Sequence, residues 1–363
     1  MKIEEIPTPA TIVDLDILER NILTMAEYCK SVKSGLRPHC KAHKNPLIAR
    51  KQLEAGAIGL CCQTLEEAEA LIFNGIESEV LLTNIIVSDI AMDRFLALRK
   101  NGNITITLDN LENGQRLAKF ARSRDLVVDF LVEMNVGQNR TGVEPKEAPS
   151  LALALSRVEG LRFRGFMGYE GHLQIKYPSF DERKKVDYEA LTPLTKALDE
   201  SKKLGLDPEI VTSGGTGTYN IAAEIPGITE IQPGSYVVMD SRYNLIENLS
   251  STFHNSLFLL TSVVSAPSRE RVIVDMGWKA CSLEYQILGY DGMPKPVGLE
   301  GISYWPAGDE HGTLKVDPNS PSLSIGERLK FIPSHCDTTL NLYGKFYGMR
   351  GDRVETICPV ARR

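Results

Sequence analysis

Lys41 lies within the run Arg-Pro-His-Cys-Lys-Ala-His-Lys at 37–44, just ahead of a helix start. Asn45 is a good N-cap, Pro46 suits the first helical position, and Gly56 closes the helix. The lysine therefore falls at the end of the preceding strand, where in a parallel barrel it points into the mouth. An amine drawn out of bulk water loses its proton more readily, as imine formation requires. Arg37, Lys41, His43 and Lys44 could equally form a solvated basic patch, and this stretch alone does not separate the two. A second motif does. Ser-Gly-Gly-Thr-Gly-Thr at 213–218 joins a strand to a helix. Its glycines, Gly215 and Gly217 among them, let backbone N–H groups approach an anion, while Ser213, Thr216 and Thr218 offer hydroxyls. A phosphate cradle together with a strand-end lysine suggests pyridoxal 5'-phosphate, held at one end by its phosphate and at the other by an imine.

Further polar residues fall at comparable places. Gln63 follows the second strand, and Arg140 stands in Gly-Gln-Asn-Arg-Thr-Gly after the fifth, placed to bind a phenolic oxygen or to anchor its loop. Tyr169 and His172, in Gly-Tyr-Glu-Gly-His after the sixth, are a ring partner and a candidate acid or base, with structural roles equally open. Gln232, Gly234 and Tyr236 belong to Gln-Pro-Gly-Ser-Tyr after the eighth strand. Far along the chain, His335 and Asp337 flank Cys336 in Pro-Ser-His-Cys-Asp. In an extended segment residues two apart share a face, so the histidine and the aspartate would form half of a divalent-metal shell, or a simple His–Asp hydrogen bond. His254 and His311 have no such partners and read as surface or structural residues.

These motifs need a scaffold that brings strand ends together. Short β-rich runs alternate with helical patterns over 36–240, with strands expected at 36–40, 57–61, 79–83, 104–108, 127–133, 161–167, 208–212 and 228–232. Thr64 and Glu67 form a capping box ahead of one intervening helix, and Leu18, Ile22, Met25, Cys29 and Val32 give an earlier helix one apolar face. Eight βα units over some 200 residues fit a (β/α)8 TIM barrel, whose sites lie at the C-terminal ends of the strands. After residue 245 the runs become strand-like and separated by turn-rich spacers, which predicts a C-terminal β-domain. The expected boundaries are 14–245 for the barrel and 246–363, with 1–13, for the β-domain. The strand Ala-Thr-Ile-Val-Asp at 10–14 fits either.

A net charge of −6 disfavours nucleic acid or an anionic membrane as partner. No apolar run reaches membrane-spanning length, and the N-terminus lacks the pattern of a secretory signal. Seven scattered cysteines suggest neither a disulfide framework nor a zinc site, so a cytoplasmic location with reduced thiols is expected.

Taken together and in order, these motifs resemble the D-threonine aldolase and D-serine dehydratase family of fold-type III pyridoxal-phosphate enzymes. The resemblance covers nearly the whole chain. It implies an alanine racemase-like barrel with a β-domain, and a homodimer. It also implies that Lys41 forms the Schiff base, and that Gln63, Arg140, Tyr169, the loop Ser213, Gly215, Thr216, Gly217 and the turn Gln232, Gly234, Tyr236 hold the cofactor. His335 and Asp337 would bind a metal beside the substrate, and His172 would act as catalytic base. His-x-Asp goes with manganese or magnesium in the aldolases, whereas His-x-Cys goes with zinc in the dehydratases, so Mn2+ or Mg2+ is favoured over Zn2+. The expected activity is cleavage of a D-β-hydroxy-α-amino acid, of the D-threonine or 3-hydroxyaspartate type, to glycine and an aldehyde. The alternatives are a D-serine or D-3-hydroxyaspartate dehydratase giving a 2-oxo acid and ammonia, and a non-catalytic pyridoxal-phosphate-binding protein.

Overall fold

The computed structural model describes residues 1–361. Eight parallel strands form the first sheet: Gly35–Leu36, Leu60–Cys62, Val80–Leu82, Ile104–Leu108, Val128–Glu133, Leu161–Met167, Ile210–Ser213 and Glu230–Ile231. They pair in order from the second strand to the eighth, and the eighth pairs with the first. The ring is completed by a parallel bridge between His39 and Cys61, together with Ile58 N–H to Leu36 O and Cys61 N–H to Pro38 O. All eight expected strands are present, those at 104–108 and 161–167 with the expected bounds and the rest displaced at one or both ends. The first stops at Leu36, because Pro38 cannot donate to a ladder, and it continues only as single bonds from Arg37 to Ile231 and from His39 to Pro233.

Cys61, Leu81, Leu131, Met167 and Ile210, from five different strands, pack together as apolar filling. In the sixth strand Gly165 has φ +151, and a Cβ there would lie 1.8 Å from the Ile210 carbonyl oxygen. That close approach accompanies the register shift against Phe130 and Leu131. The helix Pro46–Glu54 begins as expected, with Asn45 Oδ1 accepting from the N–H groups of Leu47 and Ile48. Thr64 caps Leu65–Ile72 by accepting from Glu67 N, while the Glu67 carboxylate takes the Gln63 N–H at 2.7 Å.

The chain forms two units, residues 25–234 and residues 1–24 with those from 235 on. In the second unit the strand Ala10–Asp14 pairs antiparallel with Leu257–Ser265 and parallel with Lys345–Arg350. Leu257–Ser265 also pairs with Arg271–Val274 and Arg328–Ile332, and Lys345–Arg350 with Arg353–Pro359. Leu259, Val263, Val272, Leu314 and Phe331 are fully or almost fully buried in its core. The Asn21 side chain bonds the Val237 and His254 carbonyls, so the residues just after Asp14 and just before Ile246 belong to this unit.

One helix on the barrel carries an unusual charge. Phe180–Lys203 buries Arg183 and Asp187 one turn apart. Arg183 Nη1 donates to the carbonyls of Tyr177 and Pro178 at 2.8 and 2.9 Å, whereas neither Asp187 oxygen has a hydrogen-bond partner among the described residues. Burial, reinforced by Glu170, pushes the Asp187 carboxyl up to about 9. Unfolded, the same group gives up its proton near 3.8. Between these values the folded state holds the extra proton, so this residue makes stability fall as pH rises, by up to about 1.4 kcal/mol per pH unit. Asp187→Asn should therefore raise Tm over the wild type by more at pH 8 than at pH 5. Thermal melts at the two pH values test this, and equal gains at both would show that Asp187 is ionised in the fold.

Candidate active site

Lys41 sits in a single 3-10 turn, Cys40–Ala42, rather than on the strand itself. The turn is capped by His39, whose Nδ1 accepts from the Lys41 N–H at 3.4 Å. With Nδ1 as acceptor the proton resides on Nε2, which donates to Thr83 Oγ1 at 3.1 Å. Burial, then the charges of Lys41, Arg140 and His43, hold His39 well below the usual imidazole range, so it is neutral. The solvated-patch alternative fails here. Arg37 and His43 are buried: Arg37 grips Glu230 and Glu79, and His43 Nδ1 accepts from the Asn45 N–H.

Five of the expected residues, Lys41, Gln63, Arg140, Tyr169 and Gln232, line one pocket, completed by His39, Thr83 and Met167. Lys41 Nζ lies 5.5 Å from the centre of the Tyr169 ring, and the Arg140 guanidinium carbon lies 5.8 Å from it. Both cations thus meet the same ring. Gln63 Nε2 reaches the Thr83 carbonyl, and Gln232 Nε2 donates to Thr212 Oγ1 at 2.7 Å. These bonds fix the polar walls.

The 213–218 loop is organised differently from the expected open cradle. Glu170, fully buried, accepts from Gln174 Nε2, the Gly214 N–H and the Thr218 hydroxyl, and its Oε2 lies 2.7 Å from Ser213 Oγ. The Gly215 N–H donates to Thr218 Oγ1, and the Gly217 N–H to Gln174 Oε1. Gly215 and Gly217 are therefore required by their own neighbours, since a Cβ on Gly217 would lie 2.0 Å from the Gln174 carbonyl oxygen. Their N–H groups point to protein rather than to open space. Gly234 is likewise a close approach, with its would-be Cβ 3.0 Å from the His39 carbonyl. Tyr236 belongs to the other unit, where it is buried against Phe253.

His172 is not among the residues lining the Lys41 pocket. Its ring stands against Gly137, with Nε2 3.1 Å from the place a Cβ would take there. Its Nδ1 is buried without a hydrogen-bond partner among the described residues, and burial lowers its pKa despite Glu170.

The segment from 335 is not extended, because Cys336–Leu340 is a short helix with His335 as its N-cap residue. The Cys336 N–H donates to Asp240 Oδ2 at 3.0 Å, and Asp337 Oδ1 accepts from Ser235 Oγ at 3.1 Å. His335 Nδ1 pairs with Glu284 Oε1, and its ring stacks on Tyr285 at 4.5 Å. Burial lowers the His335 pKa, but Glu284, Asp337 and Asp240 outweigh it and hold the value above the ordinary one. This surrounding favours a cation at His335. Among the described residues, however, no group of three or more His, Cys, Asp or Glu side chains could hold a metal, so His335 and Asp337 are at most a half-shell. His254 and His311 are exposed, as expected of surface residues.

The sequence reading missed four side chains that organise these places: His39, Thr83, Glu170 and Glu284. His39 and Glu170 lie inside motifs already singled out, and their one signal was a charged or polar residue flanked by glycine or proline. Thr83 and Glu284 carried none.

Two family models match the chain: "Alanine racemase, N-terminal domain" over residues 13–242 and "Putative serine dehydratase domain" over residues 256–349. A 3-hydroxy-D-aspartate aldolase of Paracoccus denitrificans (strain Pd 1222) is 35% identical, over 99% of this chain and 92% of the relative. A D-threonine aldolase of Arthrobacter sp is 34% identical, over 99% and 93%. The crystal structure of D-threonine aldolase from Filomicrobium marinum superposes with a TM-score of 0.93 at 34% identity, covering 99% of this chain and 96% of that one. With matches of this extent on both units, the chain belongs to the D-threonine aldolase and D-serine dehydratase family, built on the alanine racemase barrel.

Proposed function

We propose that the protein is a pyridoxal-phosphate-dependent, metal-assisted lyase that cleaves D-β-hydroxy-α-amino acids to glycine and an aldehyde. The observation that carries this is the pocket in which an amine, a guanidinium, a tyrosine ring and two glutamines converge. That donor set fits the cofactor: Lys41 supplies the attaching amine, Arg140 a cation for the phenolic oxygen, and Tyr169 an aromatic face. Phosphate is assigned to the loop 213–218 on family membership alone, because its Gly214, Gly215 and Gly217 N–H groups and its Thr218 hydroxyl are bonded to protein. Pyridoxal phosphate, when bound, accepts the electron pair left at Cα as the Cα–Cβ bond breaks.

His335 and Asp337 are assigned a divalent ion, which when bound lowers the pKa of the substrate's β-hydroxyl. One nitrogen and one carboxylate oxygen suit Mn2+ or Mg2+. His172, neutral because burial lowers its pKa, is assigned the hydroxyl proton. The dehydratase alternative is supported less well, because the residue two after His335 is Asp337 rather than a cysteine, and the Cys336 thiol is fully buried against Asp337 Oδ1. A homodimer and a cytoplasmic location belong to the same proposal. The seven free, buried cysteines suit a reducing compartment, and no helix among the described residues is long and apolar enough to cross a membrane.

Three measurements test this reading. The purified protein should absorb in the visible, and borohydride should trap a cofactor adduct on Lys41 that Lys41→Ala abolishes. An adduct mapped to another lysine would remove the central assignment. Chelation should stop conversion of D-threonine or D-3-hydroxyaspartate to glycine while leaving that absorbance intact, and Mn2+ or Mg2+ should restore turnover better than Zn2+. If ammonia and a 2-oxo acid are the main products instead, the reaction type is dehydration. Finally, a histidine base must be unprotonated to work, so kcat should fall on the acid side only below the ordinary imidazole range, the direction in which burial moves His172. His172→Asn should lose about 100-fold or more of kcat and with it that acid limb. An unchanged profile would assign the proton elsewhere.

A further inference from the structure

Glu284, in the second unit, is bonded on both carboxylate oxygens. Its Oε1 accepts from His335 Nδ1 and, at 2.7 Å, from Thr338 Oγ1. Its other oxygen accepts from Ser282 Oγ. Three donors thus lock one carboxylate, and that carboxylate locks one imidazole. From the opposite face the ring is held by Tyr285, 4.5 Å away and inclined by only 20°. With Nδ1–H committed to Glu284, Nε2 is the nitrogen that carries the lone pair when the ring is neutral.

We infer that Glu284 is a positioning residue for the divalent ion: it fixes the His335 tautomer and ring orientation, so that Nε2 is presented as a ligand and made more basic. A carboxylate behind a metal-binding histidine acts in this way, and its loss costs about 10- to 100-fold in metal affinity. The inference rests on the proposed assignment of the ion to His335 and Asp337. It adds that the half-shell is built from a segment some fifty residues earlier, 282–285, as much as from 335–338. Thr338 contributes from one turn beyond His335, tying the short helix to the same carboxylate.

The test is Mn2+ affinity of the cofactor-loaded protein, read by electron paramagnetic resonance of free against bound ion, independently of turnover. Glu284→Ala should raise Kd about 10- to 100-fold. Glu284→Gln keeps an oxygen that can accept from Nδ1–H, so it should recover most of the affinity. It also preserves the volume of the side chain, should the alanine variant fold poorly. The visible absorbance of the Lys41-bound cofactor should be unchanged in both. His335→Ala is the control that separates the two levels of the argument. If it abolishes binding while Glu284→Ala and Glu284→Gln both bind as tightly as the wild type, the role of Glu284 is overturned and the metal assignment stands. If His335→Ala binds Mn2+ as the wild type does, the assignment of the ion falls and the role of Glu284 falls with it.

Discussion

The barrel depends on a buried ion group at the seam where its first and last strands meet. Arg37, 3% exposed, donates from Nε and Nη2 to the two oxygens of Glu230 at 2.7 and 3.0 Å, and Nη2 also reaches Glu79 at 3.1 Å. Glu230 opens the eighth strand and Glu79 immediately precedes the third. The first strand has only two residues in regular pairing, too few to hold the ring closed by ladder bonds alone. Burying such charges gains little over an apolar seam, but once they are buried, removal of the arginine would strand two carboxylates at a cost of about 3–5 kcal/mol. The forked guanidinium suits this place because it satisfies two carboxylates in fixed directions. Gly59 makes room for it, since a Cβ there would lie 2.3 Å from Arg37 Nη1.

That closure places the lysine. Three residues separate Arg37 from Lys41, and the chain over them is held by two bonds to the seam and one within the turn. Arg37 N donates to Ile231 O, His39 N to Pro233 O, and His39 Nδ1 then accepts from Lys41 N. Lys41 is thus aimed by a neutral histidine that caps its turn and is bonded to Thr83. A flexible strand end would leave the long side chain free to sample many rotamers, and fixing it afterwards would cost conformational entropy. Here the turn is set by the fold. The same economy holds at the 213–218 loop, where one buried glutamate gathers a hydroxyl from each end and the amide of Gly214.

The barrel was legible because eight β-rich runs with capped helices between them leave few other solutions, and its strand ends follow. The residues that line the Lys41 pocket were legible for the same reason: Gln63, Arg140, Tyr169 and Gln232 each directly follow a strand end or sit in the loop after one. Three features were not. The purpose of Gly215 and Gly217 was read as room for an anion, whereas each admits Gln174, a contact across 41 or 43 residues that no local pattern records. The segment after His335 was read as extended because residues two apart then share a face, yet Cys336–Leu340 turns into a helix. The Cys336 N–H goes to Asp240 there, a partner 96 residues away. Glu284 stands 51 residues from His335, in a stretch whose sequence suggested only β-structure and turns.

The same helix bears on which chemistry position 337 can support. Successive helical residues are turned by about 100°, so Cys336 and Asp337 cannot present their side chains in one direction. The thiol is fully buried, and its Sγ lies 3.3 Å from Asp337 Oδ1, oriented to donate to it. Burial, with Asp240 and Asp337 adding to it, raises the cost of ionising the sulfur. Asp337 remains partly exposed and keeps one oxygen outside these bonds. The turn of the helix therefore sorts the two adjacent side chains: the sulfur is turned inward as a buried thiol, and the carboxylate is left partly exposed. Turning the thiol outward would require rotating the first turn of Cys336–Leu340, at the expense of the Asp240 bond that begins it.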